Sequence, residues 1–357
     1  MVEGGAVLER LLARYSPSGR EGAAVREFGR VARGLGYRAR VDRVGNGIAE
    51  VGRGRPVVLF LGHIDTVEGD RPVRRSRGRV HGRGAVDAKG PLVAALLAGQ
   101  GWSGPGTFRV VAAVREETDS GGARHLLRGT RPDAVIAGEP SGWDGVTIGY
   151  KGDLRVEATF VRPRTHWSSP FPTATDLAIA WLGRLEARVR EGAGESPFRS
   201  LTAKTVGFSS DPGGDPEVAR VTVDLRLPPG RTTAEVLQGL PREPGRPRLR
   251  VLVRVEPAEF PRTDPVVGAL ERAIRAQGGR PTLWRRAGTS DLNVVAPAWK
   301  LPGAAYGPGD SRLDHTDREA LPLADLDRAV GVLRRAVEEL ARGAARPPTP
   351  LRSAAAP

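Results

Sequence analysis

Short apolar runs of strand length alternate with helical periodicity through the first 140 residues, and this alternation narrows the fold to a mainly parallel α/β domain. Residues 57–61 read as a buried strand and 91–97 as a helix that begins just after Lys89-Gly90. Residues 108–114 and 134–137 read as two further strands. His63, Glu116 and Glu139 fall just past the C-terminal ends of these runs. Open α/β sheets hold their ligands at that edge.

The texture changes near residue 153. A half-exposed strand at 154–161 is followed by helical periodicity at 174–189, then by strands at 201–208 and 218–227. A short helix at 232–240, capped by Thr232 or Thr233, and a last strand at 249–255 complete the series. The order β-α-β-β-α-β is that of a ferredoxin-like split βαβ unit. Helix, strand, helix, strand and helix patterns resume between 264 and 340. Residues 153–261 therefore read as an insertion that splits one domain into 1–152 and 262–342. The Pro/Ala/Arg-rich stretch 343–357 reads as a disordered tail.

Composition removes several classes. With 39% hydrophobic and 27% charged residues the chain is globular rather than disordered. The longest apolar run is strand-sized, so no membrane span is expected, and an N-terminus without an apolar signal region points to the cytoplasm. Cysteine is absent, so any metal must sit on His, Asp and Glu. The formal net charge of +14 comes almost wholly from arginine, there being only four lysines. Such charge suits nucleic acid, a membrane surface or an acidic protein, and it also suits GC-rich codon usage. No zinc-finger, RNP-type aromatic or helix-turn-helix signature accompanies it, so no nucleic-acid partner is expected.

Only five histidines are present. His63 lies in Gly-His-Ile-Asp-Thr, directly after the first buried run. Asp87 sits in the glycine-rich stretch Gly82–Gly90, Glu116-Glu117 follow the next strand, and Glu139 lies in Gly-Glu-Pro-Ser. His315 comes far downstream in Asp-His-Thr-Asp-Arg-Glu. Singly, each is more often a packed or solvated residue than a ligand. Jointly, two His and three carboxylates in a cysteine-free domain form the donor set of a dinuclear zinc or related site. His81 and His125 match no such position and read as structural or surface residues.

In these motifs the sequence resembles the zinc aminoacylase/carboxypeptidase family, which includes acetylornithine deacetylase and succinyl-diaminopimelate desuccinylase. The resemblance covers the chain to about residue 342 and implies a zinc-peptidase-like α/β catalytic domain with an inserted ferredoxin-like α+β lid and dimerisation domain. It implies two Zn²⁺ per subunit, replaceable by Co²⁺. His63 and Glu139 would bind one ion, Glu117 and His315 the other, and Asp87 would bridge both. Asp65 would hydrogen-bond the His63 ring and fix its tautomer. Glu116 would take a proton from the attacking water and pass it to the leaving nitrogen. His166, in Thr-His-Trp-Ser-Ser-Pro, resembles the family histidine that reaches into the partner subunit of a homodimer and stabilises the oxyanion. Here the serines of that signature are shifted by one place.

The stretch Arg285–Val295 resembles the family's substrate-recognition turn, with Leu-Asn after Thr-Ser-Asp where Gly-Arg is common. With Tyr306 and the Asp before His315, it looks closest to the branch that frees lysine or ornithine from the γ-carboxylate of the C-terminal glutamate of an acidic amino-group carrier protein. Arg286, Thr289, Ser290, Asn293 and Tyr306 would then contact substrate. Arg71, Arg74, Arg75, Arg77, Arg79 and Arg83 fall within thirteen positions just ahead of Asp87, and they would dock the carrier. Residues 153–261 hold 16 Lys/Arg against 14 Asp/Glu, so the excess positive charge lies in the catalytic domain. N-acetylornithine or N-acetyl-lysine deacetylation stands as the alternative reaction, and a basic binding protein without metals as the alternative class.

Overall fold

The computed structural model describes residues 3–211 and 213–345. The chain divides into two compact units. One takes the residues up to Ile148, Phe260–Trp284 and those from Ala298 onward; the other takes Gly149–Glu259 and Arg285–Pro297.

The first unit is built on a mixed sheet. Strand Val57–His63 lies at its centre, parallel to Thr107–Ala113 on one side and to Ala134–Gly138 on the other, with Gly303–Ala305 parallel to the latter. All seven residues of Val57–His63 are buried, as expected of a strand covered on both faces. The expectation of a mainly parallel sheet holds for this centre only. The flanks are antiparallel: Gly47–Gly52 pairs with Thr107–Ala113 and with Arg38–Val41, while Ala305 pairs with Thr147 of the strand Gly145–Tyr150. Alternating residues such as Val58, Phe60, Phe108, Val110 and Ile136 turn to one face. There they pack with residues of the helices Gly4–Leu12, Gly22–Gly34, Lys89–Ala98, Pro265–Ala276 and Leu323–Ala345. Lys89–Ala98 is buried all round and, after Lys89, apolar all round, as a helix sunk in a core must be. The helix Pro265–Ala276 starts sharply because Asp264 accepts the Val266 amide at 2.8 Å and proline occupies its first turn.

Two glycines let the central strands close up beneath the site. Gly62 and Gly138 are register partners, and a Cβ on Gly138 would stand 2.6 Å from the Phe60 ring and 3.0 Å from Gly62 Cα. The residues that follow them, His63 and Glu139, therefore leave neighbouring strands side by side.

The second unit has the expected order β-α-β-β-α-β. Gly152–Arg162, the helix Ala174–Glu191, Thr202–Asp211, Glu217–Leu227, the helix Thr233–Gln238 and Arg248–Val255 succeed one another. Thr202–Asp211, Glu217–Leu227, Gly152–Arg162 and Arg248–Val255 lie side by side in that order, every pair antiparallel. Capping boxes at Thr173 and Thr232 start its two helices. Trp181 is fully buried, stacks edge-on against Phe160 at 6.1 Å and donates its indole N–H to Pro241 O at 2.8 Å.

Several boundaries differ from the sequence reading: the second unit begins at Gly149 rather than 153, and its main stretch ends at Glu259 rather than 261. Arg285–Pro297 belongs with the second unit, because the Lys151 amide donates to Arg286 O (3.1 Å) and Arg285 pairs with Glu259 (3.0 Å). The last helix runs to Ala345, so residues 343–345 are helical. The rest of the expected tail, 346–357, lies outside the described residues.

Candidate functional site

His63 ends its strand with a ring only 1% exposed. Its Nδ1 donates to Asp65 O at 3.0 Å, which leaves Nε2 directed at Asp87 Oδ1, 2.9 Å away. The Asp65 carboxylate stands 3.6 Å from Nδ1. The Asp65 carbonyl thus fixes the ring's tautomer, and the carboxylate beside it adds its charge to the ring. The carboxylate accepts the amides of Glu116 and Glu117, both at 3.1 Å, and the Ser18 hydroxyl at 2.6 Å. One buried aspartate therefore fixes both the His63 tautomer and the start of the acidic loop, a link that residue spacing does not reveal.

Asp87 holds both imidazoles: its Oδ2 lies 3.1 Å from His315 Nε2, which is also 3.0 Å from Glu117 Oε1. Glu139, directly after the strand Ala134–Gly138, completes the arrangement. Two groups result, His63–Asp87–Glu139 and Asp87–Glu117–His315, with the donor atoms of each group within 4.8 Å of one another. Asp87 is common to both.

The electrostatics show how strongly these groups act on one another. Burial opposes a charge on His63, yet Asp87, Asp65 and Glu116 outweigh it and hold the ring's pKa well above 6.5. Hydrogen bonds to Asp87 and Glu117 push His315 up to about 10. Asp87 is drawn well below the usual carboxylate range by the two imidazoles, against the effect of its burial. Imidazole nitrogen and carboxylate oxygen, shared through one aspartate, are donors suited to a pair of divalent ions. Lys89, in the same glycine-rich stretch as Asp87, is occupied by main-chain oxygens. Its Nζ donates to Leu11 O and Arg14 O, and burial lowers its pKa to about 8.

The remaining expected residues separate into groups. His166 lies exposed in the second unit, its Nδ1 2.8 Å from Ser168 Oγ. Arg286 and Thr289 are half-buried, and the buried Ser290 accepts the Leu292 amide. Asn293 and Tyr306, expected to contact substrate, are both engaged by main-chain partners. Asn293 donates to Lys151 O (3.1 Å) and Glu256 O (2.8 Å) while its Oδ1 accepts the Ser290 amide, so its side chain secures the turn. Tyr306 has no exposed surface, and its hydroxyl donates to Trp143 O at 2.7 Å.

The arginine cluster also divides. Arg83 is 5% exposed and pairs with Glu319 at 3.1 Å, which withdraws it from any docking surface. Arg71 pairs with Asp317, and Arg75 with Glu3. Arg74, Arg77 and Arg79 remain around an open cavity of about 570 Å³ shared with Ser76 and His81. Partial burial and the charges of Arg74 and Arg79 push the His81 pKa down.

Two histidines and two glutamates gathered around one shared aspartate form the donor set of a metallohydrolase. The chain belongs to peptidase family M20/M25/M40, whose family model matches residues 59–339. It is a metal-dependent hydrolase of amide bonds. It is 40% identical to the "[LysW]-lysine hydrolase" of Deinococcus radiodurans over 86% of this chain and 89% of that protein. It is 30% identical to the "[LysW]-lysine/[LysW]-ornithine hydrolase" of Sulfurisphaera tokodaii over 94% of each. Among solved structures, a Bacillus subtilis protein described as a dinuclear metal binding peptidase of the M20 family shares the fold. Its TM-score is 0.72 at 13% identity, covering 94% of this chain and 97% of that one.

Proposed function

We propose that this enzyme frees lysine, ornithine or both from the γ-carboxylate of the C-terminal glutamate of an acidic amino-group carrier protein. This would be the last step of lysine or arginine formation on that carrier, in the cytoplasm. The observation that carries the chemistry is the pair of three-residue groups sharing Asp87. The carrier-linked substrate rests on whole-length similarity to relatives named for LysW-linked amino acids.

His63, Asp87 and Glu139 would hold one ion and Asp87, Glu117 and His315 the other. Zinc fits these donors, and cobalt can replace it. Ions held there would supply Lewis acidity to the scissile carbonyl and to the attacking water. Glu116 takes the proton from that water and delivers it to the leaving nitrogen. Asp65 keeps the amides of Glu116 and Glu117 in place, so the two neighbouring carboxylates face different tasks. His166 would stabilise the oxyanion from the partner subunit of a homodimer. A dimer through the second unit is supported by its edge strand Thr202–Asp211, where Val206 and Phe208 are 53% and 45% exposed. Arg286, Thr289 and Ser290 form the recognition turn, and Arg74, Arg77 and Arg79 dock the carrier.

The test is a turnover comparison of carrier-linked lysine, carrier-linked ornithine and the N-acetyl form of each. Faster cleavage of a carrier-linked form supports the proposal. Preference for the acetylated amino acids replaces it with a deacetylase.

A further inference from the structure

Glu319, four residues after His315, is 3% exposed and uses both its oxygens. Oε1 accepts the amides of Val86 and Asp87 at 3.0 and 3.1 Å, and Oε2 accepts from Arg83 Nη1 at 3.1 Å. Arg83 in turn donates from Nε to Gly69 O (3.1 Å) and from Nη1 to Thr316 O (3.2 Å). One buried ion pair thus ties together the segment at Gly69, the loop that presents Asp87 and the segment that follows His315. All lie within the first unit.

The two metal-ligand groups are held by different means. His63 and Glu139 leave adjacent strands, where the sheet's hydrogen bonds fix their spacing. His315 lies in no strand and holds φ at +61°, a left-handed conformation that a residue with a side chain keeps only when its surroundings impose it. Its neighbour Thr316 is bonded to Arg83, and its fellow ligand Asp87 is bonded through its amide to Glu319.

We propose that the Arg83–Glu319 pair is a positioning clamp for the group Asp87–Glu117–His315, so that breaking it weakens the ion held there before the ion held by His63 and Glu139. The proposal rests on the metal-centre reading above. Glu319→Gln keeps an oxygen for the two amides but turns an N–H₂ group towards Arg83, so the ion pair is lost. Arg83→Lys keeps the charge but cannot reach all three of the acceptors.

The test titrates metal-free full-length protein with Zn²⁺, following stoichiometry and affinity by calorimetry and elemental analysis. Circular dichroism verifies that each variant is folded. Wild type is expected to bind two ions per chain. Glu319→Gln should keep one near wild-type affinity and bind the second about 10- to 100-fold more weakly, the usual effect of removing a group that orients ligands. Its surviving site should match that of His315→Ala and differ from that of His63→Ala. Arg83→Lys should weaken the same site by less, and it decides the question if Glu319→Gln does not fold. Equal weakening of both ions, or two unaltered ions, overturns the clamp while leaving the metal centre intact. A wild-type protein that binds no ion overturns the metal centre and the clamp with it.

Discussion

Glu116 and Glu117 are adjacent, chemically identical and anchored through their amides to the two oxygens of one aspartate. Only Glu117 is brought to His315 and Asp87 as a donor in a ligand group. Glu116→Gln should therefore lower turnover by about 10²–10⁴-fold while metal content and substrate binding stay near wild type. Single-turnover rates and elemental analysis measure both; retained activity would show that another group moves the proton. Far from the site, Glu27 shows how a charge can tie two helices. It is buried on Gly22–Gly34, with Arg10 of Gly4–Leu12 at 2.7 Å from one oxygen and Arg30 at 2.5 Å from the other. Burial raises its pKa, but the two guanidinium groups outweigh that and leave it below the ordinary 4.5. A depressed carboxylate contributes stability that is present above 4.5 and lost as the pH falls through its folded value. Both arginines are half exposed and screened, so the contribution is about 1 kcal/mol. Glu27→Gln should lower the neutral-pH melting temperature slightly and flatten the loss of stability on acidification. Parallel melting curves of the two proteins from pH 7 to pH 3 would contradict this.

Among the elements, the hairpin of Arg74–Ser76 and Arg79–His81 sets a local preference against a use. Ser76 faces Arg79, so Arg77 and Gly78 form the two-residue turn, at φ +49° and +69°. Positive φ at both positions is the type I′ geometry, for which Asn-Gly is the favoured pair. Arginine at the first position costs up to about 1 kcal/mol relative to asparagine. Arg77→Asn should thus raise the melting temperature while slowing turnover of carrier-linked substrate, if Arg77 docks the carrier. A short peptide ending in γ-linked lysine should be cleaved at an unchanged rate. Equal rates on the carrier for wild type and variant would leave the turn without a docking role. The pairing of a stability gain with a functional loss separates this residue from Arg83, whose removal would leave Glu319 buried without its ion-pair partner.

At the scale of the whole molecule, excess positive charge should appear as a kinetic effect. Cleavage of the carrier-linked substrate should slow as salt rises, because exposed charges are screened beyond about 8 Å at physiological ionic strength. The peptide mimic should respond much less, and identical salt dependence for both would remove docking from the account. A homodimer in which His166 acts on the partner's site makes a different prediction. Mixing His166→Ala chains with Glu116→Gln chains should restore part of the activity, since one site in each hybrid keeps both groups. A fully active monomer in solution would exclude this arrangement.

Much of this was readable in the chain, for reasons that are local. The strand Val57–His63, the helix Lys89–Ala98 and the six elements of the second unit are set by apolar periodicity and by caps such as Thr232, which act between residues close in sequence. His63, Asp87, Glu117, Glu139 and His315 were recognisable from their motifs. Their division into two groups around Asp87 became visible only when strands and loops up to 252 residues apart, His63 to His315, were brought together. What the sequence could not show was how each long polar side chain spends its hydrogen bonds. Asp65 serves the ring with its carbonyl and the acidic loop with its carboxylate, Arg83 turns inward to Glu319, and Asn293 and Tyr306 are consumed by main-chain partners. A residue type states what a side chain can bind. Burial and the nearest unsatisfied partner, which are properties of the folded chain, determine what it does bind.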